Sequence, residues 1–412
     1  MSKQSTTPRL RFPEFRNAGA WERRALKPYL EPYSERISAE DNDLPVYSST
    51  REGLKTQKEY FDGRELVNEG EYGIVPVGYF VYRHMSDDVT FKFNINDTDS
   101  PIAVSKEYPV FTTVDLNSRF LLYTLNEGID FKKFAEMQRK GGTRTRLYFK
   151  ILCSCDISLP RLSEQQKIAD CLSSLDALIA AQSEKIDALK AHKKGLMQQL
   201  FPRDGKTTPR LRFPEFRDAG PWEGKQLEDL TKRGSGHTPS KTKPEYYDGG
   251  IKWVSLADSR RLDCGLISDT QIEISQKGID NSSAVLHPAG SVLISRDAGV
   301  GKSAVMKVPM AVSQHFIVWT CNRALLSNWF LYQLLQKMKP VFERMATGST
   351  IKTIGLQFFK DLCIRVPSIH EQQKIADCLS SLDALIGAQS EKIDALKTHK
   401  KGLMQQLFPS EN

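Results

Sequence analysis

EQQKIADCLSSLDALIAAQSEKIDALKAHKKGLMQQLFP, Glu164 to Pro202, decides how this chain is read: the same 39 letters return at Glu371 to Pro409, with Gly387 for Ala180 and Thr398 for Ala191. In the first copy Ile168, Leu172, Leu175, Ile179, Gln182, Ile186, Leu189, Lys193, Leu196 and Leu200 fall at alternating steps of four and three. That is an unbroken heptad seam with two polar interruptions. The second copy repeats it at Ile375, Leu379, Leu382, Ile386, Gln389, Ile393, Leu396, Lys400, Leu403 and Leu407. Each copy predicts a helix of about 37 residues, roughly 55 Å long. Ser163 with Gln166, and Ser368 with Glu371, are expected to cap the starts, and Pro202 and Pro409 to end the helices. A seam this long needs a partner, and the nearest is the other copy. An antiparallel pair would set the intervening segments at opposite ends about a pseudo-twofold axis, whereas a parallel pair would crowd them together. Periodicity leaves both open, along with seams that pack only on their own globular domains.

A second repeat lies upstream of each half: TTPRLRFPEFR occupies Thr6 to Arg16 and again Thr207 to Arg217. Period and self-similarity therefore define the organisation. We expect an N-terminal arm (1–21), a first insert (22–160), a central spacer helix (161–203), a linker with the arm repeat (204–222), a second insert (223–367) and a distal spacer helix (368–412). The chain has 412 residues, of which 40% are hydrophobic and 26% charged, which fits a soluble globular protein of two or three domains. It has no apolar run of membrane-spanning length. MSKQSTTPRLRF lacks a secretory apolar core, and the seven cysteines are odd in number and irregularly spaced. A reduced, cytoplasmic location is expected, with no metal site at Cys153 and Cys155. The net charge of +8 permits nucleic acid as a partner without demanding it.

Both inserts read as mixed α/β (α+β) with short strands. Tyr72–Arg83 and Tyr108–Val114 are β-rich in the first, and Ile251–Leu256, Ser291–Arg296 and His315–Cys321 in the second. A helix is predicted near the end of each, at Asp130–Gln138 and Asn328–Ala346. Both inserts leave through a Gly/Thr loop with cations: RKGGTRTRLYFK (Arg139–Lys150) and TGSTIKTIGLQFFK (Thr347–Lys360). TKRGSGHTPSKTK (Thr231–Lys243) is likewise cationic and free of acids. Such loops suit phosphate contact, because backbone approaches closely and cations displace counterions. A solvated flexible loop has the same composition.

The pattern resembles the specificity (S) subunit of type I restriction-modification systems. GHTPSKTKPEYYDGGIKWVSLAD (Gly236–Asp258) is similar to the opening of that family's target recognition domain. GSVLISRDAGVGKSAVMKVPMAVSQHFIV (Gly290–Val318) is similar to its middle, and GSTIKTIGLQFFKDLCIRVPSIHEQQKIA (Gly348–Ala376) to its exit into the helix. The first insert lacks the matching opening. The resemblance implies two target recognition domains joined by the long helices, paired as an antiparallel coiled coil with pseudo-twofold symmetry. Each domain would read half of a split double-stranded DNA target. The partners implied are two methyltransferase (M) subunits, which use S-adenosylmethionine to methylate adenine, and restriction (R) subunits, which use ATP and Mg2+. No cofactor is expected on this chain. DNA contacts are expected from Lys55, Lys58, Arg83, Lys106, Arg144 and Arg146 in the first insert. In the second they are expected from Lys232, Arg233, Ser235, Thr238, Lys241, Arg260, Arg296, Lys302 and Lys352, as cations and polar side chains that can meet base edges or phosphates.

The chain itself points away from catalysis. It has no Asn/Asp-Pro-Pro-aromatic tetrad and no Gly-rich methyl-donor loop. AGVGKS (Ala298–Ser303) has Arg296 where a phosphate-binding loop needs its first glycine, so a turn or a DNA-facing loop is expected there. His237 and His315 have no Ser or Cys partner in the sequence and read as packing or polar contacts. The readings left beside the specificity subunit are a stand-alone two-headed DNA-binding regulator and a nucleotide-binding enzyme.

Overall fold

The computed structural model describes residues 5–63, 70–139, 143–348 and 352–409. Two compact units divide the chain: Met1–Ala181 with Ile393–Asn412, and Gln182–Lys392. Each contains one insert, one arm repeat, the first half of one long helix and the second half of the other.

In the first unit, the aromatic and β-branched runs form a four-stranded sheet in the order Phe93–Ile95, Phe80–Tyr82, Val110–Thr113 and Leu30–Tyr33. Phe80, Val81 and Tyr82 are all buried, so this central strand reads as continuously apolar rather than alternating. Phe80 stacks on Phe111 at 4.7 Å at the centre of the core. A second sheet joins Ile102–Ser105, Glu71–Val75 and Arg36–Ser38. Two helices follow, Ser118–Glu127 and Ile129–Met137, the first capped by Asn117 Oδ1, which accepts from the Phe120 N–H at 2.9 Å.

In the second unit a five-stranded sheet runs Thr231–Ser235, Phe316–Cys321, Val292–Ser295, Ser303–Met306 and Leu266–Ile267. A three-stranded sheet of Ile272–Ile274, Tyr247–Val254 and Ala311–Val312 lies beside it in sequence. Ser327 caps the helix Asn328–Met345 by accepting from the Phe330 N–H.

The long helices are Leu162–Leu200 and Ile369–Leu407. Their pairing is antiparallel within each unit. In the first, Lys400 Nζ donates to both oxygens of Asp176 at 2.6 and 2.7 Å, and Met404 packs in one core with Ile168 and Leu172. In the second, Lys193 Nζ donates to Asp383 at 2.6 and 2.7 Å, and Leu196 and Met197 pack with Ile375 and Leu379. Lys193 and Lys400 are the same repeat position, as are Asp176 and Asp383, so the lysine interruption in each copy is matched by a carboxylate of the other. Ile168, Leu172, Ile186, Ile375, Leu379 and Ile393 are buried, and Leu175, Ile179, Leu189, Leu382, Ile386 and Leu396 are half-buried.

Each letter of EQQ has its own neighbour. Glu164 accepts from Arg11 at 2.8 and 2.7 Å, and Glu371 accepts from Arg212 at 2.8 and 2.6 Å. Each copy of the arm repeat thus presents one buried arginine side chain to one buried glutamate. Gln165 accepts from the Asn117 N–H at 3.0 Å, and Gln372 from the Ser327 N–H at 2.9 Å. Gln166 accepts from Asn117 Nδ2 at 2.6 Å, while Ser327 Oγ donates to Gln373 at 3.5 Å. Each arm also meets the end of the antiparallel helix: the Leu10 N–H donates to Gln406 O, and the Leu211 N–H to Gln199 O, both at 3.0 Å.

The helix starts differ from expectation. The central helix begins at Leu162, so Ser163 is already helical; the Arg161 carbonyl accepts from the Glu164 N–H at 2.9 Å, and Gln165 Nε2 donates to Pro160 O at 2.9 Å. Ser368 Oγ accepts from the Glu371 N–H at 3.4 Å, but the Glu371 carboxylate is taken by Arg212, so no reciprocal box closes. The predicted insert helices are present as Ile129–Met137 and Asn328–Met345; the Ser118–Glu127 helix was not foreseen.

Candidate nucleic-acid interface

In the first unit a concave surface gathers Lys55, Arg83 and Arg144, joined by Arg51, Lys92 and the exposed Tyr60. Lys55 stands on the hairpin Tyr47–Thr50/Gly53–Thr56 and Arg83 at the end of the buried strand Phe80–Tyr82. Arg144 precedes the short strand Thr145–Arg146, which pairs with Met85–Ser86. The cations are held by local acids: Lys55 by Glu52, Arg144 by Asp87 at 2.9 Å, and Arg51 by Asp88. The Arg51 guanidinium, helped by the Ser86 hydroxyl and the Thr90 N–H, both of which donate to Asp88, keeps its carboxyl well below the usual range. Among the described residues no carboxylate pairs with Arg83 or Lys92. Lys58, Lys106 and Arg146 are exposed but lie outside this concavity. Lys140 of the exit loop lies outside the described residues.

In the second unit Lys302 and Lys352 line one concavity with Lys339. Its wall is the AGVG turn, which joins the antiparallel strands Val292–Ser295 and Ser303–Met306. Ala298, Gly299 and Gly301 all have positive φ there. A strand, not a helix, follows Lys302, and Lys302 Nζ donates to Asp263 at 2.9 Å and Ser259 O at 3.1 Å. The turn thus lacks both the helix N-terminus and the uncommitted lysine of a phosphate-binding loop. At its root Arg296 and Asp297 sit side by side, and His315 Nδ1 is 2.8 Å from Asp297, a polar contact, while the Ser295 hydroxyl donates to the Asp297 carbonyl. Lys232, Arg233 and Ser235 form the edge strand of the five-stranded sheet, with Arg233 paired to Glu228 at 2.5 Å. Thr238 Oγ1 donates to Gln314 at 2.6 Å, and Lys241 and Arg260 are exposed. None of these six lines the concavity of Lys302. Ser349, Thr350 and Ile351 of the exit loop lie outside the described residues.

Both exit loops return in the same way. The N–H of buried Leu147 donates to His84 O at 2.8 Å, and that of buried Ile354 to Arg296 O at 3.0 Å. Each bond holds a residue at the far end of the exit loop against the cation-bearing end of a central strand. Arg51, Lys92 and Lys339 lie outside the Gly/Thr-rich cationic segments and gave no signal before folding. Gly236 has a physical role in the second insert: a Cβ there would lie 1.8 Å from the Val312 carbonyl oxygen.

Burial pushes the thiols of Cys155 and half-buried Cys321 up to about 12, away from the thiolate form. Among the described residues no three His, Cys, Asp or Glu side chains are grouped to hold a metal ion, and no helix is long and apolar enough to cross a membrane.

Two different cationic surfaces carried on one repeated clamp of arm and helix are the architecture of a specificity subunit. The chain belongs to the family of the type I restriction modification DNA specificity domain, whose model matches residues 42–191 and 220–398. It is 23% identical over 416 residues to the protein described as the type I restriction enzyme MjaX specificity subunit of Methanocaldococcus jannaschii, covering 94% of this chain and 92% of that one. It is 27% identical over 236 residues to the EcoR124I/EcoR124II specificity subunit of Escherichia coli, covering 56% and 54%. In fold it is similar to the S subunit of a type I system from M. genitalium, with a TM-score of 0.63 at 15% identity over 98% of this chain and 100% of that one. Specificity subunits are non-catalytic, and so is this chain; catalysis belongs to partner subunits.

Proposed function

We propose that this chain reads a bipartite double-stranded DNA target, one half with each insert, and directs adenine methylation and cleavage by partner M and R subunits. Residues 22–160 and 223–367 are the two target recognition domains, and the seam from Ile168 to Leu396 is the spacer between them. The observation that carries the reading is the shared exit device, in which the residue beyond the Gly/Thr segment, Leu147 or Ile354, is bonded to the end of a cation-bearing strand in both inserts. Arg83, Lys55 and Arg144 form the first contact set, and Lys302, Lys352 and Arg296 the second, with the edge-strand residues Lys232, Arg233 and Ser235 flanking it. Lys58, Lys106, Arg146, Thr238, Lys241 and Arg260 are then backbone-positioning contacts at the margins. The intramolecular pairs on Lys55, Arg144, Arg233 and Lys302 must exchange their carboxylates for phosphate or base, which lowers affinity and raises discrimination. S-adenosylmethionine, ATP and Mg2+ are used by the partners, and extrusion of the adenine falls to the M subunits.

The test is co-expression with the neighbouring methyltransferase gene, followed by methylome sequencing. A split motif with adenine methylation in both halves is expected. No new methylation, combined with sequence-selective binding by the purified chain alone, would shift the assignment to a stand-alone regulator. Four residues inserted after Leu189 add roughly 6 Å of helix and are expected to change the preferred spacing between the half-sites.

A further inference from the structure

Where the insert helices meet the long helices the two units use one plan, and it breaks at a single pair of positions. The capped insert helices align from their caps, so that Phe120 corresponds to Phe330, Tyr123 to Gln333 and Glu127 to Lys337. Phe120 stacks on Phe408 at 5.4 Å, as Phe330 lies against Phe201 at 5.3 Å. Tyr123 Oη donates to Asp176 at 2.7 Å, as Gln333 Nε2 donates to Asp383 at 2.8 Å. One turn later the plan breaks. Lys337 reaches over the Phe201 ring and donates to the Pro202 carbonyl at 2.7 Å, which leaves Phe201 1% exposed. Glu127 stands at that position in the first unit. A carboxylate cannot donate to the Pro409 carbonyl, and the helix ends there before Gly128.

The result in the first unit is an open groove. Its floor is Ile179, Met404 and Phe408, with Ile129, 45% exposed, on its lip. Lys397 and Lys401 are on the rim, with Lys132 facing Glu127 at 3.9 Å, and Lys400 is already bound to Asp176. An apolar floor excludes DNA as the natural occupant, because phosphate backbone offers nothing to bury there. A cationic rim around such a floor fits bulky apolar side chains flanked by Asp or Glu.

We infer that this groove takes an acidic, amphipathic segment of one M subunit, and that the two M sites are therefore unequal. The inference rests on the proposed role as a specificity subunit. The helix repeats offer both M subunits the same side chains, and the first unit adds the groove, whose counterpart position in the second is covered by Lys337. The first M subunit binds there more tightly, and the second binds to the frame without it.

The near-identity of the helices supplies an internal control. Lys190 and Lys194 are the copies of Lys397 and Lys401 and are equally exposed. Purified full-length chain is titrated with purified M subunit, and the two association steps are resolved by native mass spectrometry. Lys397→Glu with Lys401→Glu is expected to weaken the tighter step about tenfold, with a lower salt dependence; Lys190→Glu with Lys194→Glu is expected to leave that step unchanged. Ile129→Ser, an exposed first-turn residue, is expected to act on the same step, with unchanged thermal unfolding as the check on folding. Equal loss from both charge reversals, or two steps of equal affinity in the unaltered chain, would overturn the groove while leaving the specificity-subunit reading intact. No association with M at all would overturn both. A photo-crosslinking residue at position 129 is expected to capture M; capture of DNA or of a second copy of this chain would refute the assignment.

Discussion

Replacing Arg212 by alanine is the sharpest test of how the repeated arm works. The guanidinium donates to both Glu371 oxygens at 2.8 and 2.6 Å, and the two side chains are 6% and 2% exposed. Alanine leaves a carboxylate with almost no access to water at the start of a long helix. Breaking a buried pair from one side costs about 3–5 kcal/mol, a large share of the ~5–15 kcal/mol that holds a domain together. For a unit of this size each kcal/mol moves the midpoint by roughly 2–4 °C, so the second unit is expected to melt about 6–20 °C lower. Arg11→Ala removes the same geometry from Glu164 and is expected to do the same to the first unit. Differential scanning calorimetry on the full chain reads both, because each variant should shift one transition. Adding Glu371→Gln to Arg212→Ala is expected to recover part of the loss, since the uncompensated charge disappears. An Arg212→Ala chain that melts within 2 °C of the unaltered one would refute the clamp.

Three further outcomes follow from particular contacts. Asp383→Ala removes the acceptor of both Lys193 and Gln333 and is expected to cost roughly 1.5–3 kcal/mol; Asp176→Ala, at a more exposed carboxylate, is expected to cost about 1 kcal/mol, and urea midpoints in the reverse order would contradict the assigned burial. His287 is buried beneath Gly234, and burial lowers its pKa from 6.5, so unfolding releases a ring that takes up a proton more readily. The second unit is therefore expected to lose stability as pH falls below about 6.5, by at most ~1.4 kcal/mol per pH unit from this group, with no contribution at pH 7.5; a His287→Asn chain with an unchanged pH slope between 7.5 and 5.5 would remove histidine as the cause. Arg83→Ala is expected to weaken binding of target DNA by about 1–3 kcal/mol if the side chain meets a base, or to lower the salt slope by about 1 if it meets a phosphate; filter binding across a salt series that shows neither would take Arg83 out of the contact set.

The sequence by itself determined the duplication, the two helices and their heptad positions, because a period repeated at every turn survives any tertiary context. It also marked both exit loops, where glycine, threonine and cations cluster within a few residues. It left the direction of the helix pair open, since a heptad seam looks the same read either way; only Lys193 meeting Asp383 and Lys400 meeting Asp176 decide it, contacts 190 and 224 residues apart in sequence. The meaning of EQQ was equally hidden. Glu164 and Arg11 are separated by 153 residues, and nothing local distinguishes a glutamate that will be buried against arginine from one left in water. The positions the two inserts share are few: a cap, one phenylalanine, one polar side chain toward the helix and one backbone bond from the end of the exit loop. Those positions recur because each must meet the same repeated helix, and identical neighbours demand like contacts from otherwise different chains. Where they differ, at Glu127 and Lys337, one side chain that cannot donate a hydrogen bond leaves a groove open that its counterpart fills, and only the fold brings that pair of positions into register.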